Sequence, residues 1–201
     1  VGVAQRRERE REDVRRRILD AARDQFARHG YERVTMRAIA ESIEYSATTI
    51  YNHFRDKDDL LDNLCEEDFR RLLGAMRPDS LPVDPVDRIQ QLGRAYAAFG
   101  LGHPNHYRFM FMTGGRFENG HELSESGKRS YGLLRDAVRE GLERGLLRGR
   151  DADTVAQVLW SSIHGAVALL ITYKAEQFPL SPAVPDLVDR VLENSLRGHR
   201  S

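Results

Sequence analysis

The chain has 201 residues, 40% apolar and 31% charged, with 31 Lys/Arg balancing 31 Asp/Glu. This is ordinary globular composition, enough for one compact domain or two small ones. No unbroken apolar run reaches 18 residues, the Arg/Glu-rich start lacks an apolar core segment, and Cys65 is the one cysteine. A membrane-spanning helix, a secretory leader and an intrachain disulfide are therefore not expected, and the chain fits a reducing compartment.

The charge is unevenly spread. Residues 1–57 hold thirteen Arg/Lys against ten Asp/Glu, and residues 58–201 hold eighteen against twenty-one. The basic excess of the first part is modest, so nucleic-acid affinity there would rest on particular phosphate contacts. The run Gln5 to Asp13 alternates Arg with acids. It reads as a solvated, frayed helix start with mixed-sign pairs or, alternatively, as an arm reaching into a minor groove.

In chain order, helix 1 is expected over about 12–29, stopped by Gly30. Thr35 can cap a short helix 2 with apolar positions Met36, Ile39, Ala40 and Ile43. Glu44 and Tyr45 interrupt that pattern. Ser46 can then cap helix 3 by accepting from the amide of Thr48 or Thr49, with Ile50 and Phe54 four apart and facing inward. Ala47, Thr48, Thr49, Tyr51 and His53 stay on the outer sides, small or hydroxylated near a helix start, where free amides favour phosphate. Cap–helix–turn–cap–helix is the helix-turn-helix pattern, whose second helix enters the major groove.

Asp56 can cap helix 4, about 57–76, ended by Pro78; Pro82 and Pro85 mark a loop. Helix 5, about 85–101, carries Ile89, Leu92, Tyr96 and Phe99 on one face. Pro104 opens helix 6, with Tyr107, Phe109, Met110, Phe111 and Met112. A loop over 114–120 precedes helix 7, about 123–145, with Tyr131, Leu134 and Val138. Asp151 can cap helix 8, about 152–176, and Pro179, Pro182 and Pro185 separate it from helix 9, about 185–197. No period-two pattern appears, so the expected fold is all-α, with about nine helices.

Residues 155–171 of helix 8 are apolar around most of the circumference, so this helix is expected to be buried on more than one side. A stripe of Trp160, His164, Val167 and Ile171 can face the interior. Small residues opposite it, including Ser162, Gly165 and Ala166, permit close helix approach. Helix 9 pairs apolar positions at Leu187/Val188, Val191/Leu192 and Leu196.

The motif resembles the TetR family of transcriptional regulators. The resemblance runs through Ile18-Leu19, Ala21-Ala22, Phe26 and Gly30-Tyr31, then Thr35, Arg37 and Ile39-Ala40-Glu41. It continues in Tyr45-Ser46, Thr49 through Phe54, Lys57-Asp58 and Leu60-Leu61, about 55 residues in all. One departure is Glu44, where the family often has Gly. Either this backbone position tolerates a side chain or it is not strongly left-handed. Trp160, His164 and Gly165 also resemble a TetR subgroup with a C-terminal Trp-His-Gly motif, although Ile163 stands where its Trp would be.

The resemblance implies residues 1–57 as a three-helix DNA-binding head and residues 58–201 as an antiparallel helical ligand-binding and dimerisation domain. It also implies a bacterial, cytoplasmic homodimer formed through helices 8 and 9. Such a protein would be a repressor on double-stranded, pseudo-palindromic operator DNA, released by a small apolar effector. A regulator without an effector, or an activator, is the main alternative; an all-helical enzyme or ligand carrier is remote. Neither a cofactor nor a membrane partner is expected.

The DNA set is Thr35, Arg37, Tyr45, Ser46, Ala47, Thr48, Thr49, Tyr51, His53 and Lys57. Thr35, Ser46, Tyr51, His53 and Lys57 suit phosphates, while Arg37, Ala47, Thr48 and Thr49 suit base edges. The plainer reading is that Thr35 and Ser46 only cap and Tyr51 only packs. Tyr96, Phe99, Phe109, Met110, Phe111, Tyr131, Leu134, Trp160 and His164 could line an effector cavity, or could be core. His164 and the Trp160 indole are its candidate polar handles. His103, His106, His121 and Glu122 do not complete a metal set. Cys65, beside Glu66, Glu67 and Asp68, is not placed as a nucleophile, so no catalytic residue is expected.

Overall fold

The computed structural model describes residues 2–112, 123–173 and 184–200 (for 184–186 the backbone alone). The loop read at 114–120, His121 and Glu122, residues 174–176 of the expected helix 8, and Pro179 and Pro182 lie outside these. The described residues form nine α-helices, with a single 3-10 turn at Pro78–Ser80 and no strand beyond an isolated bridge between Leu147 and Arg200. The helices are α1 (Val3–His29), α2 (Met36–Ser42), α3 (Ala47–Tyr51), α4 (Lys57–Ala75), α5 (Pro85–Gly102), α6 (Pro104–Phe111), α7 (Glu125–Glu143), α8 (Ala152–Thr172) and α9 (Val184–Arg197). The all-α expectation holds.

The chain divides into two compact units, Val1–Asp68 with Asn105–Ser124, and Phe69–Pro104 with Glu125–Ser201. The unit containing the helix-turn-helix thus extends past residue 57, taking in the first turns of α4 and all but the first residue of α6.

In the first unit, Ile18, Leu19, Ala22 and Phe26 form the buried stripe of α1, and Ile39, Ala40, Ile50, Phe54, Leu60 and Leu64 are buried with them. Each of the Ile, Leu and Phe side chains contributes roughly 1.5–3 kcal/mol of burial, and the two alanines less. Gly30 ends α1 with φ 77, a conformation glycine adopts without cost, and its amide closes on the Phe26 carbonyl at 2.9 Å. Phe26 meets the Tyr31 ring at 5.6 Å and stacks on Phe109 of α6 at 5.9 Å.

One charged cluster is buried among these apolar groups. The Arg23 guanidinium, 3% exposed, donates through Nε to both oxygens of Asp68, which is 0% exposed. Its Nη2 lies 2.8 Å from Asp68 Oδ1 without hydrogen-bond geometry, a charge contact alone. Nη1 reaches Asp20 at 2.6 Å, and His106 Nδ1 of α6 meets Asp68 Oδ1 at 2.8 Å. One carboxylate therefore joins α1, α4 and α6.

In the second unit, α5, α7, α8 and α9 pack around Ile89, Ala137, Val138, Leu147, Val155, Ala156, Leu159 and Leu196. Asp84 caps α5, accepting from the amides of Val86 and Asp87, and Asp151 caps α8 through Thr154. Gly93 lets α9 approach α5, since a Cβ there would collide with the Leu192 side chain. Ion pairs join Arg88 to Glu140 at 2.9 Å and Arg94 to Asp189 at 2.7 Å.

By mean hydropathy, 1.6 over 18 residues, α8 is long and apolar enough to cross a membrane, although Gln157, Ser161, Ser162 and His164 interrupt its apolar run. Its inner side, including Val155, Leu159, Ile163 and Val167, is buried in the unit.

Candidate nucleic-acid interface

Two side-chain caps position the interface. Thr35 accepts from the Ala38 amide at 3.1 Å and starts α2; Ser46 accepts from the Thr49 amide at 3.2 Å and starts α3. Ser46 Oγ also lies 3.0 Å from Thr49 Oγ1. Between the helices, Glu44 has φ 60. The turn is left-handed there and carries a side chain despite the cost to a non-glycine residue. Of the two possibilities that Glu44 raised, the structure has the first.

The inward pair behaves as its spacing predicts: Ile50 and Phe54 are buried. Thr48 and Tyr51 are exposed, Tyr51 at 55%, and Ala47, Thr49 and His53 are half-buried. Thr35 and Ser46 remain exposed while capping, so their hydroxyls serve the helix starts first. Tyr45, half-buried, meets Arg17 of α1 through its hydroxyl at 3.5 Å.

Two cations of the set already have partners. Arg37, 82% exposed, pairs through Nε with Glu41 one turn on, at 2.8 Å. The Lys57 ammonium donates to the carbonyls of Tyr31 at 3.0 Å and Val34 at 3.2 Å, and lies 4.0 Å from the Tyr31 ring centre. It closes the connection between α1 and α2, and the third of its three N–H groups is the one left for a phosphate. Burial, and after it the hydrogen bond that its hydroxyl donates to Asp58, raises the Tyr31 pKa beyond the usual phenol range. Asp56 caps α4 as expected, accepting from the Asp59 amide at 2.8 Å.

The His53 imidazole titrates below its ordinary value, chiefly because burial disfavours the cation and secondarily because Arg11 and Arg15 stand near. Its neutral, hydrogen-bonding form is favoured accordingly.

The residues proposed for an effector cavity come from both units. Phe109, Met110 and Phe111 belong to the first unit, where Phe109 stacks on Phe26. The other six belong to the second. There the Tyr96 hydroxyl lies 2.8 Å from His164 Nδ1, the Trp160 ring 5.4 Å from His164, and Tyr131 meets Trp160 edge-on at 6.3 Å. His164 thus has the side-chain partner that the plainer reading demanded. Tyr131 and Leu134 pack against the unit's apolar core. Among the described residues an open cleft of about 410 Å³ lies between α1 and α2, lined by Arg17, Asp24, Arg28 and other mainly polar residues.

Burial holds the His164 imidazole below its ordinary pKa. The unfolded chain therefore binds a proton, as pH falls through about 6.5, that the folded chain refuses, and stability drops on acidification. His164→Asn should remove that share. In urea unfolding, the wild type should lose more stability than the variant between pH 7.5 and 5.5; equal losses would contradict the assignment. His53 contributes to both proteins and cancels.

Sequence reading missed the Arg23–Asp68–His106 cluster. A signal was present, because Arg23 lies one turn from both Leu19 and Phe26 on a buried stripe and so required a partner.

A capped helical pair presenting α3 outward, in an all-helical chain, defines a helix-turn-helix DNA-binding regulator. Residues 18–64 match the family described as bacterial regulatory proteins of the tetR family, and residues 89–194 match the tetracyclin repressor-like C-terminal domain. The HTH-type transcriptional repressor AcnR of Corynebacterium diphtheriae is 31% identical over 150 residues, covering 70% of each chain. The HTH-type transcriptional repressor Rv1474c of Mycobacterium tuberculosis is 42% identical over 82 residues, 36% of this chain and 44% of that protein. The chain thus spans less than half of that relative. A TetR family regulator of known structure from Marinobacter aquaeolei superposes with a TM-score of 0.78, covering 96% of this chain and 99% of that one at 19% identity, a likeness of fold.

The chain belongs to the TetR family of bacterial transcriptional regulators. Members bind operator DNA and typically act as dimers, and the chain is accordingly not an enzyme.

Proposed function

We propose that this chain is a homodimeric repressor, with two heads in successive major grooves of a pseudo-palindromic operator, about 34–36 Å apart or a multiple. The observation that carries this is α3: two caps fix it, Ile50 anchors it, and Ala47, Thr48, Thr49 and Tyr51 face away from the core. Thr48 and Arg37 reach base edges, and Ser46, Tyr51, His53 and the remaining N–H of Lys57 hold phosphates. Thr35 and Tyr45 complete the contact surface. Residues 1–57 form the reading head and residues 58–201 the dimerisation and effector part, with repression suggested by the AcnR relative.

Dimerisation is assigned to α8 and α9. Val158, Ser162, Gly165, Leu169 and Thr172 recur at intervals of three and four along α8, with Val158 45% and Leu169 44% exposed. The Ser162 and Thr172 hydroxyls bond back to the carbonyls of Val158 and Ala168, so the stripe offers mainly carbon. A Cβ at Gly165 would meet open space, which leaves room for a partner helix. Leu187 and Val191 of α9 are half-buried and extend the face.

The effector is assigned to the Tyr96–His164–Trp160–Tyr131 cluster, which suits a small, largely apolar molecule with one polar group. It would favour the dimer form with the wrong head spacing, and bound DNA would then weaken effector binding by the same factor.

Selection of genomic fragments by the purified protein at about physiological salt tests the reading. An inverted repeat is expected; no consensus, with binding equal to that of Tyr51→Ala, would refute it. Within the head, Thr48→Ala should change the ranking of operator variants by about 1–3 kcal/mol at one base pair. A uniform loss over all variants would remove Thr48 from base readout. Lys57→Ala is a poor phosphate probe, because it also releases the Tyr31 and Val34 carbonyls.

A further inference from the structure

The first turns of α1 have no place in the head's core. α1 is continuous from Val3, yet every residue from 3 to 13 is exposed and the first buried one is Ile18. The segment is helical, as in the reading of its charge alternation as a solvated helix start.

Its arginines divide by partner. Arg6 pairs with Glu10 at 3.5 Å, Arg9 donates to the Gln5 carbonyl at 3.3 Å, and Arg16 pairs with Asp13 at 2.5 Å. Arg7 and Arg11 have no ion pair or hydrogen bond among the described residues. They are four apart, and Arg15 follows four further on, so the three form one row along the helix with steps of about 6 Å.

The lower end of that row is fixed against the reading head. The Arg15 guanidinium donates to Asn63 Oδ1 of α4 at 2.6 Å and lies 4.8 Å from the Phe54 ring centre, three residues after α3 ends. Arg11 is near enough to His53 for its charge to be felt there. The row therefore starts beside the C-terminal end of α3 and climbs away from it, with Glu8 and Glu12 in a neighbouring row about a quarter-turn round the helix.

We propose that the N-terminal turns of α1 are a second DNA-binding element, in which Arg7 and Arg11 hold backbone phosphates flanking the base pairs read by α3. This rests on the reading of α3 as the recognition helix. The contact carries no base code. It lengthens the footprint and adds two phosphates per head.

The test uses the full-length protein and the duplex recovered by fragment selection, with affinity measured across a salt series. The double variant Arg7→Gln, Arg11→Gln keeps helix-forming side chains without charge. It should bind more weakly, keep the ranking of operator variants, and lower the log–log salt slope by about 1.8 per head, or about 3.6 for two heads. The control Arg6→Gln, Arg9→Gln should leave the slope at its wild-type value.

Wild-type slope and affinity in the first variant overturn the proposal while α3 keeps its role. Equal losses in both double variants overturn it too, because the effect would then be diffuse charge. Failure of the wild type to bind any selected duplex, at the level of Tyr51→Ala, refutes the recognition-helix reading and this element with it. Circular dichroism at 222 nm confirms that both variants keep α1 helical.

Discussion

Asp68→Ala should destabilise the unit holding the reading head by about 3–5 kcal/mol, the usual cost of stripping one partner from a buried ion pair. Asp68 is wholly buried, and its removal leaves the Arg23 guanidinium with the edge of Asp20 and leaves His106 Nδ1 without its carboxylate. Replacing Arg23 by Met and Asp68 by Leu together should cost far less than Asp68→Ala alone, because no buried charge is then stranded. Urea unfolding of the three proteins checks this. A cost below about 1 kcal/mol for Asp68→Ala would show that the carboxylate is not the pin between α1, α4 and α6. Because none of these three residues belongs to the proposed DNA set, the single variant should lose operator binding only in proportion to the unfolded fraction.

Leu169→Glu should convert the protein to a monomer and lower operator affinity by about 10²–10⁴-fold, the gain that linking two binding heads normally supplies. The site is 44% exposed in the single chain, so the carboxylate is tolerated by the protomer and rejected only where a partner helix covers it. Sedimentation velocity should give one-chain mass, with helicity unchanged. A dimer that persists in this variant, with operator affinity intact, would move the interface off the α8 stripe.

The head was legible in the sequence because its signals are local. Thr35, Ser46 and Asp56 cap within three residues of themselves, Gly30 ends α1, and the four-residue spacing of Ile50 and Phe54 sets their common face. What was not legible depends on distant partners or on the absence of an apolar stripe. Residues 3–13 have no buried face, so periodicity placed the start of helix 1 near 12 although the charged turns continue to Val3. Arg23 and Asp68 are 45 residues apart, and no spacing rule couples them. Lys57 looked like a free cation until the carbonyls of Tyr31 and Val34 came beside it.

The Arg37–Glu41 pair bears on how the proposed base contact would be made. Glu41 holds Nε at 2.8 Å and leaves the two terminal nitrogens of the fork to other partners. On the proposed reading, those two nitrogens meet the paired acceptors of a guanine while the carboxylate keeps its grip behind them. The acid then acts as a brace, narrowing the orientations that the long arginine samples before DNA arrives. An exposed pair of this kind is weak, so the brace is a small aid at each head.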